Sequence, residues 1–196
     1  MICYNSQLKW GKFLMIMVLT LPSFVAMSGE NMMTRIEKAE YREFAKGLKY
    51  ELVFRNLGKQ VFSELKHNPP GSMTANSLDL LSKMEQHNTI VMNPVRKQHG
   101  VDSTIHCKDK FFAKTVTLSL KVMPYLGARY LEGSAERFVH QLKDIQASSP
   151  VGYEKEMTYM VEHEKALYGY LVHLNDGDLK RAHSVLEDFV SEHNIQ

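Results

Sequence analysis

Apolar side chains recur along much of the chain at spacings of three and four, the period of a helix with one buried face. The first series is Tyr41, Phe44, Leu48, Leu52, Phe62 and Leu65, with one interval of ten, and Lys and Glu fill much of the opposite side. Thr34-x-x-Glu37 ahead of it is a capping box, so the spacing predicts a long helix opening at Thr34. Asn68-Pro69-Pro70-Gly71 stops it, because proline cannot continue the hydrogen-bond ladder. Gly47 and Gly58 mark places where so long a helix breaks or bends. A shorter helix follows over Thr74–Gln86, with Leu78, Leu81 and Glu85 in register.

Periodicity weakens from His87 to Asp109, where Asn93-Pro94 and His99-Gly100 signal turns and Thr89–Met92 suits a short strand. Residues 115–122 then alternate strictly, polar and apolar, which is the period of a half-buried strand. Phe111, Thr115, Leu118 and Val122 also fit one helical face. The reading taken is helix, because a lone strand needs partners and only weak ones are available.

The last third is better defined. Ser149-Pro150 reads as an N-cap followed by proline at the first helical position. Tyr153, Met157, Met160, Leu167, Leu171 and Leu174 share a face, and Asn175-Asp176-Gly177 ends that helix. Asp178 caps a final helix with Leu179, Ala182, Leu186, Phe189 and Val190 inward. The expected fold is mostly α: a single-domain helical bundle of four or five helices over 29–196. The alternative is α+β, with a small sheet within 88–122.

The N-terminus changes the picture of charge and location. Lys9 and Lys12 precede an apolar run from Phe13 to Ala26, and no acid occurs before Glu30. A basic head, a short apolar stretch and small residues at Ala26 and Ser28 predict a cleaved secretory signal peptide over 1–28, hence a periplasmic or secreted protein. A membrane association is expected only if this segment stays as an anchor. The 196-residue chain has 24 Lys plus Arg and 22 Asp plus Glu, and removing 1–28 leaves 22 of each. That balance gives no electrostatic case for nucleic acid. It also leaves Cys107 as a lone, possible reactive thiol beside His106.

No Gly-x-Ser-x-Gly, Walker or dinucleotide motif is present. The candidate metal ligands are Glu156, His163 and Glu164 on the penultimate helix, with Glu136 or His140 and His183 or Glu187 from its neighbours. Inward carboxylates and imidazoles of a bundle are how dinuclear iron and manganese sites are made. A second group is His99, Asp102, His106 and Cys107, residue types that ligate zinc or copper. Tyr159, Tyr168 and Tyr170 form a candidate binding surface, since Tyr suits interfaces. Met160-Val161-Glu162-His163-Glu164-Lys165-Ala166-Leu167 followed by Gly177-Asp178 resembles the last helical hairpin of exported ferritin-like bundles, over about 40 residues. The leading expectation is an exported, non-catalytic helical protein that binds a protein or small ligand, with no cofactor. The alternative, which the resemblance implies, is a ferritin-like redox or storage protein using iron or manganese.

Overall fold

The computed structural model describes residues 29–71, 73–101 and 107–196, and the side chains of these from 41 onward except 108. The segment 1–28 and the candidate ligands Asp102 and His106 lie outside the described residues. Among the described residues there are seven helices and no strand: α1 (Gly29–Lys66), α2 (Ala75–Val91), α3 (Asn93–Gln98), α4 (Cys107–Val122), α5 (Pro124–Ala147), α6 (Glu154–Asn175) and α7 (Leu179–Glu192). The mostly helical class holds, but four or five helices become seven. Among the described residues of 88–122 the small sheet is not formed: Thr89–Val91 continues α2, and Asn93-Pro94 opens α3 with proline in its first turn.

The alternation at 115–122 has a different cause from a strand. Val116 and Leu120 are buried, whereas Leu118 and Val122 are exposed, so α4 has apolar residues on both sides. The ends also differ from expectation. Helix α1 starts at Gly29 and passes through Gly47 and Gly58 without a break. Helix α6 starts after Tyr153 rather than at Ser149-Pro150, because Gly152 takes φ +102 and the Glu154 carboxylate accepts its N–H. Asp178 caps α7 as expected, accepting from Arg181 N–H at 3.0 Å. Gly177, at φ +79, lets the chain reverse between α6 and α7.

Helices α1, α2, α6 and α5 form a ring in which each packs on the next. Helix α4 lies against α1 and α5, and α7 against α6 and α2. The interior is divided. One core joins Phe44, Leu48 and Leu52 to Met92, Phe138, Met157 and Met160. The other joins Leu57, Val61 and Phe62 to Leu78, Leu81, Met84 and Ala166. On α1, α2 and α6 alike, the residues between the two cores are polar.

Candidate functional site

Glu51 and Arg55 stand one helical turn apart on the inward stripe of α1, between Leu48 and Leu52 of one core and Leu57 of the other. Glu85 and Asn88 hold the same level on α2, and His163 and Glu164 on α6. All six are buried, none more than 6% exposed. Phe138 of α5 closes the fourth side, its ring centroid 5.4 Å from the Arg55 guanidinium carbon.

The guanidinium is the hub. Its Nε lies 3.4 Å from a Glu51 oxygen, and Nη1 donates to Glu85 Oε1 at 3.1 Å. Nη2 donates to Glu164 Oε2. Nη1 also sits 3.1 Å from His163 Nδ1. A guanidinium only donates, so Nδ1 is the acceptor and the imidazole is neutral with its proton on Nε2. Burial and the Arg55 charge hold His163 well below its ordinary pKa, in keeping with that tautomer.

Three carboxylates share one cation. Burial raises Glu51 to about 7, Arg55 partly opposing it, and raises Glu85 to about 8. Burial also raises Glu164 while Arg55 lowers it. Burial works against the charge on Arg55, but Glu164, Glu85 and Glu51 outweigh it and raise its pKa. The layer therefore carries fewer negative charges near neutral pH than its formula suggests, which is how a dry interior tolerates it. Glu85 Oε2 and both Glu51 oxygens have no hydrogen-bond partner among the described residues.

A cleft of about 270 Å³ opens onto this layer between α1, α4, α5 and α6. Phe54, Val116, Leu131 and Leu171 are among its apolar walls, and Arg55, Glu85 and Glu164 line it as well. The Phe54 ring packs on Phe138 and Phe112 at 5.3 and 6.2 Å. Gly58 makes room for the base: a Cβ there would lie 2.9 Å from Glu85 Oε1.

Of the sequence-derived ligands, only His163 and Glu164 join the layer. His140 is exposed on α5, Glu136 is exposed, and Glu156 is half-buried. His183 pairs with Glu187 at 3.3 Å and approaches the Ser77 hydroxyl at 3.1 Å. Among the described residues, no group of three or more His, Cys, Asp or Glu is placed to hold a metal ion. His99 packs among Tyr41, Phe44 and Tyr153, and Cys107 is exposed. Tyr159 and Tyr170 are buried rather than surface residues, because the inward face of α6 is wider than its Met and Leu stripe. Tyr168 is half-buried, and Tyr170 lines the cleft.

Sequence reasoning missed Glu51, Arg55 and the role of Glu85. The signal was the ten-residue interval between Leu52 and Phe62, where Arg55 occupies the stripe position. Glu85 in register with Leu78 and Leu81 was its counterpart on α2. No family model, curated protein or solved structure matches this chain.

Proposed function

We propose that this chain is an exported, non-catalytic binding protein for a small amphipathic molecule with an apolar body and a hydrogen-bond-donating head, an amine foremost. The observation that carries this is an apolar cleft ending on Arg55, Glu85 and Glu164. Arg55 already hydrogen-bonds three acceptors and is ion-paired with Glu51, so an anionic head would compete with carboxylates already in place. Glu85 lines the cleft with Oε1 held by Arg55, while Oε2, which has no hydrogen-bond partner, is buried 3.9 Å from His163 Nε2; a turn of the carboxyl would offer it to a donor head. The aliphatic hydroxyl on the wall, Ser134, donates to the Tyr130 carbonyl, an arrangement that suits packing more than nucleophilic attack. Export rests on the basic and apolar pattern of residues 9–28.

Calorimetric titration with n-octylamine, n-octanol and octanoate tests the reading. The amine should bind tightest and octanoate weakest, and Ser134→Leu, which fills the cleft from its half-buried wall, should weaken the amine. Octanoate binding as tightly as the amine, or an amine indifferent to Ser134→Leu, would overturn it.

One observation favours the ferritin-like alternative. Three carboxylates and an imidazole converge from three helices on one cation, here the Arg55 guanidinium. Iron or manganese at that point would have to displace the guanidinium.

A further inference from the structure

Helix α4 has two apolar sides. At 100° per residue, Phe111, Leu118 and Val122 fall within roughly 40° of one another, opposite Ala113, Val116 and Leu120. The second set is buried on α1 and α5, whereas the first set is between 61% and 75% exposed. Met123, Tyr125, Leu126 and Tyr130 continue the exposed surface over the corner into α5. Of thirteen exposed large hydrophobic side chains among the described residues, eight lie between Phe111 and Tyr130. Apolar surface gathered in this way marks a contact site rather than ordinary scatter.

Charge says what it contacts. Residues 107–130 hold five basic side chains (Lys108, Lys110, Lys114, Lys121 and Arg129) against one acid, Asp109. The whole chain is close to balanced, so a good part of its positive character is gathered here. Lys110, Lys114 and Lys121 fall in one row along a flank of the exposed stripe. Lys121 pairs with Glu64 of α1 at 3.6 Å, while the stems of Lys110 and Lys114 can lie on the apolar surface with their ammonium groups reaching outward. An aromatic and aliphatic stripe edged by lysines complements a lipid bilayer with anionic headgroups: the side chains enter the acyl boundary and the lysines meet phosphates. No described helix is long and apolar enough to cross a membrane, so α4 would lie along the surface.

We propose that the exposed α4–α5 face docks on an anionic lipid surface. Tyr130 belongs to this face and lines the cleft together with Phe112 on the adjoining flank of α4, so docking brings the cleft mouth to the bilayer. The docking does not depend on what the cleft binds.

The test uses the full chain with Trp10→Phe and Leu118→Trp, so that one tryptophan reports on α4 alone. On vesicles of equal parts phosphatidylcholine and phosphatidylglycerol, its emission should shift to the blue and be quenched by brominated acyl chains. Pure phosphatidylcholine should give a much weaker effect. Lys110→Glu with Lys114→Glu should raise the half-saturating lipid concentration about tenfold or more. A Val122→Trp reporter repeats the measurement should the first variant fold poorly. Unchanged emission on anionic vesicles overturns the proposal, as does binding that survives both lysine reversals, which would mean attachment elsewhere in the chain. Blue emission without lipid also overturns it: concentration-dependent, it reveals a second copy on the face, and concentration-independent, another part of the same chain.

Discussion

Replacing Arg55 with Met removes the sole cation of the buried layer while keeping an apolar stem of similar length. Glu51, Glu85 and Glu164 then face one another with no counter-charge. Burial already raises Glu51 to about 7 and Glu85 to about 8, so their protonation adds little new cost near neutrality. Glu164, which Arg55 now holds down, must also take a proton to stay in a dry interior. Burial already raises Glu164 above its ordinary 4.5, so the new cost is about 1.4 kcal/mol for each pH unit above that raised value. The expected destabilisation is therefore below about 5 kcal/mol near pH 8 and smaller near pH 5.5, at most about 1–2 kcal/mol. Urea unfolding followed by circular dichroism at both pH values reads it. Adding Glu164→Gln should recover most of the loss at the higher pH. Equal destabilisation at the two pH values, or no recovery from Glu164→Gln, would refute the reasoning.

Three further expectations follow from the same layer. Glu51 and Glu85 hold protons in the folded state that the unfolded chain gives up, so the stability they contribute is full below about 4.5 and is lost as pH rises through about 7 and 8. His163, kept neutral on folding, works the other way, but only below 6.5. The urea midpoint should therefore fall from about pH 6.5 to about pH 8, with Glu85→Gln flattening the upper part; a rising midpoint in that window contradicts the assignment. Gly58→Ala, which at an exposed helical site would gain up to about 1 kcal/mol, should here lose about 1–3 kcal/mol, because its Cβ meets Glu85 at 2.9 Å. Elemental analysis of untagged protein should find no stoichiometric iron, manganese, zinc or copper, also after incubation with Fe²⁺ and Mn²⁺; about one metal ion per chain, lost on His163→Ala, would favour the ferritin-like alternative.

The helical period was plain wherever a helix buries one face, as on α6, whose Met157, Met160, Leu171 and Leu174 all turn inward. It was less plain on α4, where helix is both the reading taken and what forms, because a strand's period of two arises whenever alternate residues are apolar. Val116 and Leu120 face the core while Leu118 and Val122 face outward, and one-body patterning cannot tell that from a pleat. Phe111, Leu118 and Val122 did share a helical face, but it is the exposed one. At the site, His163 and Glu164 stood out because they border an apolar stripe on a well-marked helix. Arg55 was concealed because a cation inside a stripe reads as a gap, and its partners are 30 and 109 residues away in sequence. Only tertiary packing brings these charges together. Tyr159 and Tyr170 misled for a related reason: Tyr suits a core edge as well as a surface.

The central claim is that the cleft receives a donor head at Glu85. Proton exchange during calorimetric titration with n-octylamine tests it most directly. Near pH 7.5 a carboxyl with a pKa of about 8 is mostly protonated, and a cationic amine beside it drives that proton off. Titrations in phosphate and in Tris, whose ionisation enthalpies differ, should together show release of roughly three-quarters of a proton per amine bound. Glu85→Gln should abolish the release. Amine binding with no proton exchange, or with release that persists in Glu85→Gln, would contradict the account.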